Sequence, residues 1–358
     1  MLFHVPPRFR WECQGAVIIA AMQAWVNAEH LQSQPGSKVK PPQAILSPGE
    51  RRAFRQRLLR WFDRNRRQLP WRADRDPYHV WLSEVMLQQT RVSVVCERYP
   101  AFLSRFPDVE RLASAKLPEV LASWSGLGYY RRARALHAAA RHLIQHGGFP
   151  RTAEELAALP GIGRYTAAAI ASIAFDQACA VVDGNVERVL GRMFRVSGQH
   201  VWRAAAELLH PRRPGDFNQA MMELGATVCL PQAPLCDECP VFAWCRTRGA
   251  AKSRAGFPRR RKRIAYRLPV RDQSVFLVRR GNHKSLMPGM WELPQTRPGA
   301  GEPILRLRHA ITNTDYRVSV YGAKTGNGSA GRWLKLTDVE RLPLTGLTRK
   351  ILRQSNLI

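Results

Sequence analysis

Along residues 50 to about 210, apolar positions recur every third or fourth residue, with no sustained alternation of period two. That spacing predicts an all-α region built of many medium-length helices. Pro70, Pro77, Pro100, Pro107, Gly126, Gly128, Gly147, Gly148, Pro160 and Gly161 punctuate it as turn and helix-stop signals. Towards the C-terminus the pattern changes. Ser274-Val275-Phe276-Leu277-Val278, Tyr316-Arg317-Val318-Ser319-Val320-Tyr321 and Gly331-Arg332-Trp333-Leu334-Lys335-Leu336 are short β-rich runs, as expected of a small mixed α+β domain. Between the two regions, residues 246–271 hold eleven Lys or Arg and no acid. With Pro258 and Arg259-Arg260-Arg261-Lys262-Arg263, this stretch reads as an exposed basic linker. The expected layout is a loosely ordered extension (1–46), a helical domain (47–248), a basic linker (249–266) and an α+β domain (267–358).

A chain of 358 residues that is 45% hydrophobic has material for two cores. Its 56 Lys and Arg against 27 Asp and Glu give a formal charge of +29, which implies a polyanionic partner. No run approaches the ~20 apolar residues of a spanning helix, so nucleic acid is preferred to a membrane. Arginines scattered evenly over a solvated surface are the plain alternative, but the basic residues crowd into particular segments. The seven cysteines are odd in number and lack the dispersed framework of a secreted disulfide scaffold, which fits a reducing compartment such as the cytoplasm. An apolar run at 16–22 follows Arg8 and Arg10 as in a signal peptide, yet no small-residue cleavage pattern follows it.

Four cysteines fall close together as Cys229-x6-Cys236-x2-Cys239-x5-Cys245, with Pro231, Pro234 and Pro240 stiffening the loops. Structural zinc usually uses two short knuckles, whereas unequal gaps favour an iron–sulfur cluster, whose own width tolerates irregular spacing. Leu159-Pro160-Gly161-Ile162-Gly163 joins two helical segments, the layout of a helix-hairpin-helix. Gly161 and Gly163 let the backbone turn tightly and present amides to a DNA phosphate; alone, the motif would equally suit an ordinary helix–helix turn.

Two acids are candidates for chemistry. A helix through Pro77-Tyr78-His79-Val80-Trp81-Leu82-Ser83-Glu84-Val85-Met86-Leu87 places Glu84 on the face of Val80, Trp81 and Leu87. Apolar surroundings favour the neutral acid and suit a proton donor; a Glu reaching solvent is the rival reading, and the helix pattern does not separate them. Asp183, in Val181-Val182-Asp183-Gly184-Asn185-Val186, stands where a helix should begin, as a capping residue does. A helix start also favours a carboxylate, so capping and stabilisation of a cationic sugar are compatible. Two acids with pKa values pushed apart are what cleavage of a glycosidic C–N bond requires.

Together, Trp81-Leu82-Ser83-Glu84-Val85-Met86-Leu87-Gln88-Gln89-Thr90, Gly126-Leu127-Gly128-Tyr129-Tyr130, Leu159-Pro160-Gly161-Ile162-Gly163, Val182-Asp183-Gly184-Asn185-Val186 and the four-cysteine loop resemble the MutY family of adenine DNA glycosylases. The resemblance covers about residues 50–248. It implies a mainly α helix-hairpin-helix domain with a [4Fe-4S] loop held by Cys229, Cys236, Cys239 and Cys245. More weakly, Leu286-Met287-Pro288-Gly289-Met290-Trp291-Glu292-Leu293-Pro294 resembles that family's Nudix-like domain, without the acidic run a working Nudix hydrolase needs for Mg²⁺. Recognition rather than hydrolysis is implied there.

By the resemblance, Glu84 protonates adenine N7, Asp183 stabilises the oxocarbenium-like sugar, and Asn185 helps to position the acid and the sugar. Tyr165 stands where bifunctional relatives carry Lys, which implies a monofunctional, water-using enzyme. Tyr129 matches the wedge beside the damaged guanine and Gln89 its helper, while Trp71, Arg72, Leu87 and Gln219 match the lining of the extruded-base pocket. Where family members read Phe-Ser-His or Phe-Thr-His against 8-oxoguanine, this chain has Ile311-Thr312-Asn313, so Thr312 keeps a hydroxyl donor and Asn313 replaces the His. The implied partner is duplex DNA with adenine opposite 8-oxoguanine or guanine, met by a monomer in the bacterial cytoplasm. Two other readings stand beside it: an oxidised-pyrimidine glycosylase/lyase of the endonuclease III type, and a non-catalytic iron–sulfur DNA-binding protein.

Overall fold

The computed structural model describes residues 44–249, 260–281, 287–297, 301–311, 314–326 and 331–358. Residues 1–43, nearly all of the expected extension, lie outside the described residues. Its last two do not belong to a loose segment: Leu46 is buried in a helical core, and the Ile45 amide donates to Glu207 Oε1 at 3.0 Å.

Helix α1, Pro48–Asn65, opens with a capping box. Ser47 accepts from the Glu50 amide, and Glu50 Oε2 accepts from the Ser47 amide at 2.8 Å, which satisfies two otherwise orphaned donors. There follow α2 (Pro77–Leu87), α3 (Val92–Arg105), α4 (Val109–Ser114), α5 (Leu117–Ser123), α6 (Arg131–Gln145), α7 (Ala153–Ala157), α8 (Arg164–Ala174), α9 (Gly184–Phe194), α10 (Gln199–Leu208) and α11 (Pro214–Thr227). Helix α11 extends the helical region past the expected end of its periodicity near residue 210. These helices bury two cores, one from α2 to α8 and one from α1 with α9, α10 and α11, and Met222 of α11 packs against both. No helix among the described residues is long and apolar enough to cross a membrane.

The C-terminal part is a mixed sheet with helices on its packed face, the α+β arrangement expected. Its strands are β1 (Arg260–Arg271), β2 (Ser274–Arg279), β3 (Trp291–Glu292), β4 (Gln295–Thr296), β5 (Leu305–Ile311), β6 (Thr314–Ala323) and β7 (Gly331–Lys335), ordered β3-β2-β1-β6-β5 with β4 against β1 and β7 against β2. The pairing of β1 with β6 is parallel, from Arg260 opposite Thr314 to Pro269 opposite Ala323. Helices α12 (Leu336–Val339) and α13 (Gly346–Gln354) supply Val339, Leu347, Ile351 and Leu352 to the core beneath. Strand β1 begins at Arg260, so residues 260–266 of the expected linker are strand. The run hid this because its first four residues are exposed on both faces, and alternation with the core begins only at Ile264.

Helical and sheet parts form one compact unit. Met290, wholly buried, belongs to the core of α2 to α8; Tyr130 Oη donates to the Leu344 carbonyl at 3.2 Å, and Arg134 Nη2 to the Pro288 carbonyl at 2.6 Å.

The turn at 159–163 joins α7 to α8 as the glycine spacing predicts. Gly161 has φ +76°, and a Cβ there would stand 2.5 Å from Ala135 Cβ on α6, so both conformation and space demand glycine. Gly163, by contrast, has φ −91° and open space around it. Gly161→Ala is expected to cost roughly 2–4 kcal/mol, combining strain and overpacking. Gly163→Ala is expected to cost under about 1 kcal/mol, and denaturant unfolding of the two variants measures the contrast.

Candidate active site

An open cleft of about 590 Å³ lies where the two helical cores meet. Helix α2 forms one wall. Asp76 caps it by accepting from the Tyr78 and His79 amides, and Pro77 pre-sets its first turn. The helix is apolar nearly all round, so Tyr78, Val80, Trp81, Leu82, Val85 and Met86 are buried, and Glu84 is carried in with them at 6% exposure. Tyr165, on the first turn of α8, donates its hydroxyl to Glu84 Oε2 at 2.5 Å. Burial pushes the Glu84 carboxyl up to about 7; the Tyr165 hydrogen bond opposes this and the negative charge of Asp183 adds to it. Burial and then the neighbouring Glu84 raise the Tyr165 phenol well above its ordinary range, so it acts as a fixed donor.

Asp183 faces the same cleft from the cap of α9. Its Oδ1 accepts from the Asn185 and Val186 amides at 2.9 and 2.7 Å, and its Oδ2 from Asn185 Nδ2 at 2.8 Å. Capping and display of a carboxylate are therefore one arrangement. Arg188, which the sequence did not single out, holds Asn185 in turn: its Nη2 donates to Asn185 Oδ1 at 2.8 Å and its Nε to the Cys229 carbonyl at 2.9 Å. Gly225 of α11 lets α9 approach, since a Cβ there would lie 2.6 Å from Asn185 Cβ. That contact brings α11 and its Gln219, Met222 and Glu223 to the cleft.

Trp71, Arg72, Leu87 and Gln219 line the cleft, and so does Gln89. Glu223 was missed. Nearly fully buried, it accepts from Arg67 Nε at 2.7 Å, from Arg67 Nη2 at 2.9 Å and from Arg72 Nη2 at 2.9 Å. Burial alone would raise its carboxyl, but the hydrogen bonds from Arg67 and Arg72 hold it down at about 2. No local pattern signals this group, because its partners lie more than 150 positions apart in sequence.

Gln89 and Tyr129 occupy the left-handed region at φ +57° and +45°, and Tyr129 is exposed. Buried Arg132 explains how these turns persist. Its Nη1 donates to the Val85 and Met86 carbonyls at 2.6 and 2.9 Å, and its Nη2 to Thr90 Oγ1 and to the Leu127 and Gly128 carbonyls at 3.0, 2.9 and 3.3 Å. One guanidinium thus ties the end of α2 to the loop carrying Tyr129. Burial lowers it to about 10, which leaves it charged at neutral pH. Gly161 and Gly163 are exposed in the turn before α8, whereas Thr312 and Asn313 lie outside the described residues.

Cys229, Cys236, Cys239 and Cys245 all line one small apolar cavity of about 30 Å³ beside Arg192, Leu235 and Phe242. Arg192 Nη1 donates to Cys229 Sγ at 3.3 Å. No group of three or more His, Cys, Asp or Glu among the described residues is placed to hold a single metal ion.

The sequence profile of the HhH-GPD superfamily base excision DNA repair proteins matches residues 82–211. A solved structure titled as a thermostable thymine-DNA glycosylase is 30% identical and superposes with a TM-score of 0.53, over 57% of this chain and 98% of that one. The chain belongs to the HhH-GPD superfamily of base excision DNA repair proteins. Within it, the chain is 53% identical over 215 residues to the adenine DNA glycosylase of Homo sapiens and 50% identical over 229 residues to that of Mus musculus. These matches take in 55% and 59% of the chain but only 39% and 44% of the relatives, so the chain spans less than half their length. The superfamily match runs from α2 to just past α10, and so includes Glu84, the Gly161 turn, Tyr165 and Asp183.

Because folding raises the Glu84 carboxyl from 4.5 to about 7, its contribution to stability is present at low pH and lost as pH rises through about 7. The Glu84→Gln variant is expected to lack this component, gaining on the wild type by up to roughly 3 kcal/mol at high pH. Urea unfolding from pH 4 to 9 checks it; parallel curves would show that Glu84 is not a buried acid.

Proposed function

We propose that this chain excises adenine mispaired with 8-oxoguanine or guanine in duplex DNA, hydrolysing the N-glycosidic bond without cutting the strand. One observation carries the reading: a buried acid poised near neutral pH, Glu84, and a capped carboxylate, Asp183, open on a single cleft. In its protonated state Glu84 delivers a proton to the leaving purine, while Asp183, steadied by Asn185, faces the cationic sugar left behind. Water completes the hydrolysis. Tyr165 positions Glu84 and offers no amine, which supports hydrolysis over Schiff-base strand cleavage. The names of the mammalian relatives support adenine as the base.

Around this chemistry, Trp71, Arg72, Leu87 and Gln219 form the pocket for the extruded base, and Tyr129 with Gln89 fills the gap it leaves. The exposed turn at Gly161 and Gly163 takes a backbone phosphate. Thr312 and Asn313 of the Nudix-like domain read the opposite base. The four cysteines hold a [4Fe-4S] cluster that braces the loop: they surround one cavity, and the donor set is all sulfur. The protein acts as a monomer in the cytoplasm.

Duplexes carrying adenine opposite 8-oxoguanine, guanine or thymine, incubated with the protein and then with alkali, test the reaction. Strand breaks only after alkali, strongest opposite 8-oxoguanine, are expected; breaks before alkali would indicate a lyase, and none at all a binding protein. Glu84→Gln is expected to bind such duplexes while losing base release by at least about 100-fold, and normal release would remove Glu84 from the chemistry. Protein purified without oxygen is expected to contain iron and acid-labile sulfide in equal amounts, and stoichiometric zinc would overturn the cluster.

A further inference from the structure

On the outward face of the C-terminal sheet, arginines from three different strands stand side by side. Arg263 of β1 is in register with Arg317 of β6, and Arg317 is paired with Arg308 of β5. Residues in register project from the same face of a sheet, and all three are exposed. The other face is the packed one, where Tyr266, Leu268, Val318 and Val320 are buried. With strands ~4.8 Å apart, three positive charges fall within about 10 Å. Among the described residues no carboxylate forms an ion pair with any of them. Asp315 shares the face, in register with Arg261 and Ala310.

Like charges directly opposite one another destabilise a sheet, and among the described residues no ion pair within the row offsets this, Asp315 standing one step beyond it. Charge that guards a bare edge would account for Arg308 on β5. It does not account for Arg317, whose strand is paired there with β1 on one side and β5 on the other. A surface that carries such a cost is suited to a partner that removes it. Duplex DNA presents one negative charge per ~1.7 Å of axis, or about six along the length of the row. Guanidinium groups match phosphate oxygens in a two-point geometry.

We propose that Arg263, Arg317 and Arg308 form a docking surface for the phosphate backbone of duplex DNA, additional to the cleft and to the turn at Gly161. The proposal rests on the reading of duplex DNA as the partner and deepens it: grip on the duplex is shared by the C-terminal sheet and is independent of the base being read.

The test compares Arg263→Gln/Arg308→Gln/Arg317→Gln with a control, Arg332→Gln/Arg341→Gln/Arg353→Gln, which removes three exposed arginines elsewhere in the same domain. Dissociation constants are measured over a salt series for a fully paired duplex and for one with a mispaired adenine. Each lost phosphate contact lowers the log–log salt slope by about 0.9, so the row variant is expected to lose about 2.7 on both duplexes and the control under about 1. Arg317→Gln alone is expected to lose about 0.9 and reports even if the triple variant folds poorly. An unchanged slope, or an equal loss in the control, would overturn the proposal. So would intact DNA binding with lost affinity for anionic phospholipid vesicles, which would mark a membrane surface. A fully paired duplex requires no base release, so a chain that binds it in this way yet releases no base from the mispaired duplex would refute the glycosylase reading alone.

Discussion

A carboxyl group taken out of water and kept beside a second carboxylate is the constraint around which the helical part is built. Glu84 is enclosed because α2 has almost no polar side to turn outward, and the packing that buries Trp81, Leu82 and Met86 buries Glu84 with them. The cleft wall also holds the opposite solution. Glu223 is no more exposed, yet two guanidinium groups keep it ionised, whereas burial lifts Glu84 to about 7, its negative neighbour adding to the rise and the phenol opposing it. Two glutamates of the same intrinsic acidity are thus held in different protonation states by the company each keeps.

The acid must also keep its place relative to whatever enters the cleft, and Arg132 contributes most to that. Its five hydrogen bonds, four to carbonyls at the end of α2 and in the loop before Tyr129 and one to the Thr90 hydroxyl, couple the acid's helix to the exposed tyrosine. Burying a charged group is costly unless it is well bonded, and here the unsatisfied carbonyls of a helix end supply the acceptors. Arg188 plays a comparable part on the other wall, joining Asn185 to the cysteine loop. The end of α2 and the start of α9, both at the cleft, are each anchored by one arginine.

Helices, turn glycines and the cap at Asp183 were legible in the sequence because each is encoded within a few residues. The helix face alone left Glu84 open between a buried donor and a solvated acid, and only the family resemblance singled it out. Groups whose meaning depends on distant partners were not legible. Glu223 gives no sign of its role until Arg67 and Arg72 meet it, and Arg132 is indistinguishable from the other arginines of a basic helix until its acceptors are known. Strand β1 was read as linker for a different reason. A strand end exposed on both faces has no alternation to detect, and its run of cations matched the composition of a tether. The sulfur-lined cavity was foreseen from spacing, but Arg192, which contacts it, was not.

Met290 leaves the sheet to fill a place in the helical core, while Tyr130 and Arg134 hold carbonyls of the C-terminal part. A module that merely scans DNA could hang on a flexible tether and diverge freely. One that plugs a hole in its neighbour cannot be deleted, swapped or cut away without leaving an apolar void in the core of α2 to α8. The two parts are therefore bound to a common evolutionary and thermal fate, and a lesion in one is expected to be felt as instability in the other.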